Sequence, residues 1–271
     1  MLYELKGEVL CVKVNSFGAE LWSLERNDMP ERPLLWDGDA AVWPGRAPLL
    51  FPWCGAIEGG WFQVGGRRCA APRKHGFARD MEHCLEERTE SSLTLCLDWP
   101  GDEERFPWSC SLRTRFSLEG EELTVACAAV NRSPDPMPVQ MGFHPAFRCP
   151  YTPSKARKDY IIRFEKPEAN CPEGVFSLSE DSFSQDCVYF PHLRSDWVQL
   201  EEKGTGNALR VDTAEWPHAV LWSMPGVPGF VCIEPWSGLE GGGHDLFRRP
   251  GALRLEPGGS HDWALKIQVL L

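Results

Sequence analysis

The sequence lacks the features that mark membrane and secreted proteins. No uninterrupted apolar run approaches the length needed to cross a bilayer, and the first residues show neither the basic region nor the apolar region of a signal peptide. The 11 cysteines are scattered and include no Cys-x-x-Cys pair, which argues against a disulfide framework. We therefore expect a soluble, cytoplasmic protein whose cysteines are buried free thiols.

Several motifs of well-known active sites are also absent. The chain has no Gly-rich phosphate loop, no Gly-x-Ser-x-Gly nucleophile elbow and no dinucleotide-binding fingerprint. Histidine spacings that are typical of zinc sites do not occur either, so we predict neither a metal ion nor a cofactor. Basic residues are the minority, with 28 against 39 acidic ones, and the net charge of −11 argues against binding to nucleic acids or anionic membranes.

Short segments of alternating apolar and polar residues make up most of the chain. The 23 prolines and 25 glycines are dispersed between these segments and mark turns, and no amphipathic run is long enough to predict a helix. Residues 119–122 indicate a hairpin with a four-residue loop. The predicted strands cover residues 8–14, 93–97, 112–118, 123–130, 160–164, 197–200, 208–211, 219–222, 230–233, 253–255 and 264–271. The pattern predicts an all-β fold of large antiparallel sheets packed face to face, in one domain spanning residues 1–271.

Residues 140–147 place a histidine between two aromatic residues, in the order Gln-Met-Gly-Phe-His-Pro-Ala-Phe. Pro145 restricts His144 to an extended backbone, so the direction of the imidazole is set locally. A lone histidine is usually a core residue that is hydrogen-bonded to a backbone carbonyl. An oriented imidazole in this context favours a general acid/base role for His144 instead.

Residues 74–80 contain a second group of polar side chains. Alternation along a strand would place His75, Phe77 and Arg79 on one face. Arg79 could belong to an ordinary surface salt bridge. A histidine and a guanidinium on one face can equally hold the hydroxyls or the phosphate of a ligand, and we predict ligand binding for His75 and Arg79.

Glu234 follows the apolar residues 230–233 and precedes Pro235, so we expect it at the end of a buried strand. Partial desolvation would raise the pKa of this carboxyl group and suit it to act as a base. The alternative is a structural carboxylate that is paired with an arginine. Two tryptophans near these residues, Trp222 and Trp236, are predicted to stack on a sugar ring, although packing in the core or at a pocket rim is the more common role of a tryptophan.

Four segments of the chain occur in the order seen in aldose 1-epimerases, and the sequence resembles the LacX-type branch of the galactose mutarotase-like superfamily. They are residues 48–52, 74–79, 142–147 and 230–236. The resemblance runs from about Phe17 to the C-terminus. It implies a β-supersandwich whose concave face binds a monosaccharide.

The resemblance also implies roles for three residues. The histidine that matches His144 acts as an acid toward the ring oxygen, and the glutamate that matches Glu234 acts as a base toward the anomeric hydroxyl. The histidine that matches His75 holds the sugar.

One position departs from the pattern of the family. Relatives usually carry an arginine shortly after Leu-Phe-Pro, where this chain has Ala56. Arg67, Arg73 or Arg79 would have to supply that guanidinium, or the activity or the substrate has changed.

These observations predict an aldose 1-epimerase that interconverts the α and β anomers of a monosaccharide by acid/base ring opening. We expect it to work without a cofactor, as a monomer or a homodimer. Two alternatives stay open. One is a non-catalytic protein that binds or senses a sugar, and the other is a hexose-6-phosphate 1-epimerase.

Overall fold

The computed structural model describes residues 1–271 and consists mainly of antiparallel strands. The strands are β1 (Leu2–Lys6), β2 (Leu10–Asn15), β3 (Glu20–Arg26), β4 (Leu49–Leu50), β5 (Trp61–Val64), β6 (Arg67–Ala70), β7 (Cys84–Arg88), β8 (Ser92–Trp99), β9 (Cys110–Glu119), β10 (Glu122–Asn131), β11 (Met137–Val139), β12 (Gly142–Phe143), β13 (Ala146–Cys149), β14 (Tyr160–Phe164), β15 (Val175–Ser177), β16 (Val188–Pro191), β17 (Trp197–Glu202), β18 (Ala208–Asp212), β19 (His218–Trp222), β20 (Gly229–Trp236), β21 (Leu253–Leu255) and β22 (Ser260–Leu270).

Helical structure is limited to four short 3₁₀ helices: Glu58–Gly60, Ala78–Asp80, Arg157–Asp159 and Leu246–Arg248. The chain forms no helix with the length and hydrophobicity of a membrane span. All 11 cysteines are free, and eight of them are buried.

The largest sheet has nine strands in the order β15-β14-β17-β18-β22-β10-β9-β8-β7. Every second residue of β10, from Leu123 onward, is buried, because alternate side chains of a strand point to opposite faces. β9 and β10 form a hairpin in which Glu119 pairs with Glu122, so the predicted four-residue loop is wrong and the turn has two residues. Gly120 lies in this turn with a φ of 55°, a conformation that glycine adopts without strain.

A second sheet has the order β16-β19-β20-β12-β4, and β13 also pairs with β20. Its central strand β20 is buried from Phe230 to Trp236. Val231 and Ile233 belong to the 63-residue hydrophobic core, which also contains residues of the nine-stranded sheet. The side chains at even positions of β20 therefore point to the opposite face of this sheet, and that face carries the candidate site.

The predicted fold class is confirmed: the chain forms large antiparallel sheets. Two predicted strands, β14 and β21, have the predicted bounds. The alternation did not predict the two-residue strands β4 and β12, which are too short for a pattern, or β7, which is exposed along its whole length. Three smaller sheets, β1-β2-β3, β11-β21 and β5-β6, complete the structure.

Candidate active site

His144 and Glu234 face each other across two neighbouring strands. Gly142 of β12 pairs with Trp236 of β20, and Ala146 of β13 pairs with Cys232 of β20. His144 lies midway between Gly142 and Ala146, so the same register places it opposite Glu234. Side chains that are directly opposite in an antiparallel pair share one face of the sheet. His144 Nε2 lies 3.3 Å from Glu234 Oε1, so the sheet brings together the two residues for which the sequence predicts acid/base roles.

Glu234 lies inside β20 and not at its end. The prediction that Pro235 ends the strand is wrong, because pairing with β19 continues with Ala219 opposite Pro235. A proline removes one N–H donor but keeps its carbonyl oxygen, so it does not by itself end a strand. Glu234 is buried nevertheless, with 1% of its surface exposed.

Burial shifts the pKa values of both members of this pair. It raises the pKa of Glu234 well above its usual value and lowers the pKa of His144 to about 3. The positive charge of Arg79 is a smaller cause of the lowered pKa of His144. Trp236 Nε1 donates a hydrogen bond of 3.2 Å to Glu234 Oε2, which leaves Oε1 facing the histidine. When the pair holds one proton, burial therefore favours that proton on the carboxyl group of Glu234, beside a neutral imidazole.

The prediction of a strand that carries His75, Phe77 and Arg79 on one face is wrong. The chain makes a turn at residues 73–75, and Arg79 lies on the 3₁₀ helix Ala78–Asp80. Gly76 forms an isolated bridge with Phe51, and a Cβ added to this glycine would lie 2.0 Å from the backbone oxygen of Phe51. The turn sends Phe77 into the hydrophobic core, while His75 and Arg79 both line the pocket.

His75 is held in one orientation by two hydrogen bonds to Gly55. Its backbone N–H donates to the oxygen of Gly55 at 2.8 Å, and the backbone N–H of Gly55 donates to His75 Nδ1 at 3.0 Å. Burial lowers the pKa of His75 well below its usual value, and the nearby His144 and Arg79 are smaller causes. Because Nδ1 accepts a hydrogen bond, the neutral ring carries its proton on Nε2, which is left as a donor for a ligand.

Arg79 is the pocket guanidinium without a protein partner. It makes no hydrogen bond and no ion pair with other protein groups, whereas Arg73 in the same pocket pairs with Asp80 at 2.9 Å. Arg67 lies on β6 and pairs with Glu103, outside the pocket. Of the three arginines that the sequence offers as a replacement, Arg79 is thus the one placed and available to bind a ligand.

Ala56, where the resemblance led us to expect an arginine, lies beside a glutamate. The backbone N–H of Ala56 donates a hydrogen bond of 2.5 Å to Glu240 Oε1, and Glu240 lines the pocket. The buried Arg249 holds the loop of residues 54–56 in place, because its guanidinium donates hydrogen bonds to the carbonyl oxygens of Ala56, at 3.0 Å, and of Cys54. Glu240 and Arg249 were not predicted from the sequence, because both lie far along the chain in segments without a regular pattern.

Tryptophans form a wall of the pocket beside His144. Trp43 stacks on the imidazole with ring centroids 5.1 Å apart and an angle of 28° between the planes. Trp222 meets His144 edge to face at 5.5 Å, and its Nε1 donates a hydrogen bond of 2.9 Å to Asp186. Trp236 packs against His75 at 5.5 Å. The two tryptophans predicted from the sequence therefore line the pocket, while Trp43 and Asp186 were missed because irregular loops place them there.

These side chains enclose a cavity of about 310 Å³. This volume is at the small end of the range for ligand pockets and suits a small molecule. The cavity is lined by Trp43, Arg73, Lys74, His75, Arg79, His144, Asp186, Cys187, Tyr189, Val220, Trp222, Glu234, Trp236 and Glu240. Aromatic faces together with several hydrogen-bonding and charged groups are suited to a polar ligand that also has an apolar face.

Known proteins are similar to this chain in sequence and in fold. The family model for aldose 1-epimerase matches residues 1–252. The plasmid and chromosomal LacX proteins of Lactococcus lactis subsp. lactis are each 32% identical to the chain in an alignment of 268 residues, with a coverage of 89% of this chain and 89% of theirs.

Solved structures have the same architecture. A galactose mutarotase related enzyme from Lactobacillus acidophilus has a TM-score of 0.91 at 24% identity, over 99% of this chain and 97% of that one. A galactose mutarotase-like protein from Lactobacillus casei has a TM-score of 0.88 at 23% identity, over 99% of this chain and 100% of that one. The galactose mutarotase-like fold expected from the sequence is confirmed, and the chain belongs to the aldose 1-epimerase family.

Proposed function

We propose that the protein is an aldose 1-epimerase that interconverts the α and β anomers of a monosaccharide by acid/base ring opening. The observation that carries this proposal is the contact of 3.3 Å between His144 and Glu234, which both line one small pocket. The proposal includes the predictions that the enzyme needs no cofactor and that it acts in the cytoplasm as a monomer or a homodimer.

The reaction needs a proton acceptor and a proton donor that serve two oxygens on one carbon. The anomeric oxygen and the ring oxygen are both bonded to C1, so two groups in contact with each other can reach both. Glu234, as a carboxylate, removes the proton of the anomeric hydroxyl while His144, as an imidazolium, protonates the ring oxygen. The bond between C1 and the ring oxygen breaks, and C1 becomes the carbonyl carbon of an open-chain aldehyde.

Ring closure completes the exchange of anomers. Rotation about the C1–C2 bond presents the other face of the carbonyl to the hydroxyl that attacks it. His144 then takes the proton of that hydroxyl, and Glu234 returns a proton to the anomeric oxygen. Both groups finish in the states in which they began, so the cycle consumes no proton and no co-reactant.

The cycle requires one proton in the pair, on His144. Burial by itself favours that proton on Glu234. Sugar binding has to move it to His144, and the hydroxyls of the sugar can support this shift by donating hydrogen bonds to the carboxylate. The neighbouring charge of Arg79 acts in the same direction on Glu234, whose pKa it lowers.

The remaining pocket residues supply binding and orientation. The Nε2–H of His75 and the unpaired guanidinium of Arg79 are donors for sugar hydroxyls. Trp222 and Trp236 offer aromatic surface to the apolar C–H face of the ring. Because these groups lie around the acid/base pair, they would hold C1 near it.

A second candidate is a hexose-6-phosphate 1-epimerase, and the observation that favours it is the set of cationic residues in the pocket. Arg73, Lys74 and Arg79 all line the cavity. A phosphate group would find two or three cations there. Inhibition by inorganic phosphate would support this candidate, and indifference to phosphate would count against it.

NMR exchange spectroscopy tests the proposed function. The rates of exchange between the anomers of glucose, galactose and their 6-phosphates are measured with and without the protein. Faster exchange of one sugar supports the epimerase and identifies its substrate class. If no sugar exchanges faster but sugars still change the tryptophan fluorescence, the proposal is wrong, and the loss of the arginine at Ala56 indicates a non-catalytic sugar-binding protein.

A further inference from the structure

A third side chain, Cys232, extends the His144–Glu234 pair to a cluster of potential metal ligands. Cys232 precedes Glu234 by two positions on β20, so both side chains point to the same face of the sheet. A ring nitrogen of His144, the Sγ atom of Cys232 and a carboxylate oxygen of Glu234 all lie within 4.8 Å of one another. All three residues are buried, and no other set of His, Cys, Asp or Glu side chains in the chain is arranged in this way.

The distances and the chemistry of these atoms fit Zn²⁺. Zinc binds nitrogen, sulfur and oxygen ligands at about 2.0–2.3 Å in tetrahedral geometry, which places two ligand atoms roughly 3–4 Å apart. The contact of 3.3 Å between His144 and Glu234 already lies in this range. Movements of about 1 Å would close the triangle onto one ion. The fourth position would face the pocket and take a water molecule.

The charges of the cluster also favour a dication. A lone carboxylate or thiolate is unfavourable here, because all three residues are buried and the cluster contains no counter-charge. One carboxylate, one thiolate and one neutral imidazole around Zn²⁺ form a neutral unit. The ion would displace one proton from the carboxyl group of Glu234 and one from the thiol of Cys232 into solvent, because both groups bind a metal in their deprotonated form.

We propose that His144, Cys232 and Glu234 form a zinc-binding site at the base of the pocket, and that zinc bound there blocks the acid/base pair. Zinc would occupy the lone pair of the imidazole and the carboxylate oxygen that the proposed reaction uses. The proposed binding of zinc rests on the geometry of the cluster, whereas inhibition by zinc rests on the proposed function. The protein would therefore bind a sugar productively only when this site is free of metal.

The experiment compares three forms of the full-length protein: wild type, Cys232→Ala and Cys149→Ala. Cys149 is a matched control, since it is also fully buried and lies on β13, next to β20. Zinc affinity is measured by competition with a chromophoric chelator, and urea unfolding confirms that each variant is folded. We expect one zinc per chain in the wild type and in Cys149→Ala, and an affinity at least about 100-fold weaker in Cys232→Ala, since even outer-shell changes cost about 10–100-fold.

Cobalt provides an independent measure of the ligands. Co²⁺ bound to a thiolate absorbs through a sulfur-to-metal charge-transfer transition, so this band is expected in the wild type and in Cys149→Ala and is expected to be absent in Cys232→Ala. Equal zinc affinity of the wild type and Cys232→Ala, or a cobalt complex without this band in the wild type, would overturn the proposal.

Inhibition is then tested by measuring anomer exchange of each form before and after addition of zinc, followed by a chelator. The wild type and Cys149→Ala should lose exchange activity with zinc and regain it with the chelator, and Cys232→Ala should resist the same zinc concentration. Zinc that binds through Cys232 without affecting exchange would refute the inhibitory part. If the protein shows no exchange activity at all, the proposed function fails, while the affinity and cobalt measurements still decide the metal site.

Discussion

The buried imidazole of His144 makes the stability of the protein depend on pH, and His144→Asn isolates this effect. The pKa of His144 falls from 6.5 to about 3 in the folded protein. Between these two values the unfolded chain binds a proton that the folded protein excludes, so the free energy of unfolding decreases as the pH falls. Asparagine has no titrating group at this position, and the variant should lack this part of the pH dependence.

The size of the effect follows from the two pKa values. Each pH unit between them changes the free energy of unfolding by about 1.4 kcal/mol. Lowering the pH from 7 to 5 crosses about 1.5 pH units of the interval between 6.5 and 3. The free energy of unfolding of the wild type should therefore decrease by about 2 kcal/mol more than that of His144→Asn. Titrating groups that lie away from His144 contribute equally to both proteins and cancel in the comparison.

Urea unfolding of both proteins at pH 7 and at pH 5 measures this difference. His261→Asn, at an exposed histidine, serves as a control for the substitution itself and should behave like the wild type. An equal loss of stability in the wild type and in His144→Asn would refute the reasoning, because it would show that the folded protein accepts a proton at His144 as readily as the unfolded chain does.

Three further predictions concern the pocket and its scaffold. Arg79→Gln should raise the KM for the sugar about tenfold or more in steady-state kinetics, since a hydrogen bond from a charged donor contributes about 1.5–3 kcal/mol. Arg67→Gln, outside the pocket, should leave KM unchanged. Equal effects of the two substitutions would exclude the role assigned to Arg79. Gly76→Ala should lower the free energy of unfolding by more than about 2 kcal/mol, because the added Cβ would clash with the backbone oxygen of Phe51. Gly120→Ala should lower it by about 1 kcal/mol, because its added Cβ meets no atom. Similar urea midpoints of the two variants would contradict this. The value of kcat/KM should stay level from neutral pH down to about pH 4 and should fall at alkaline pH as Glu234 loses its proton. A decrease of kcat/KM on the acidic side that is centred near neutral pH would count against an acid/base pair that shares one proton.

The fold was predictable because its longest strands carry a clear alternation. In β10 the buried and partly exposed residues alternate along the whole strand, as the binary pattern requires. The two-residue strand β12 shows no such pattern, yet it positions His144. Its formation depends on pairing with β20 and β4, which is information that no local window of sequence contains.

The site was predictable where local chemistry marks a residue and unpredictable where tertiary structure does. The His-Pro dipeptide and the charge beside a buried apolar run identified His144 and Glu234 as candidates. Trp43 carries no such signal, because a loop brings it onto the imidazole. Cys232 was equally hidden, since its proximity to His144 follows from the register between β13 and β20 and not from spacing along the chain.

The central claim is that His144 and Glu234 act as one acid/base pair, and a comparison of single and double variants tests it most directly. Anomer exchange is measured by NMR for the wild type, Glu234→Gln, His144→Asn and the double variant, after unfolding curves confirm that all four are folded. Each single variant should lose at least about 100-fold in rate, and the double variant should lose little more than the worse single one, since neither group works without the other. Near-native exchange in either single variant, or a double variant whose loss equals the product of the two single losses, would contradict the account.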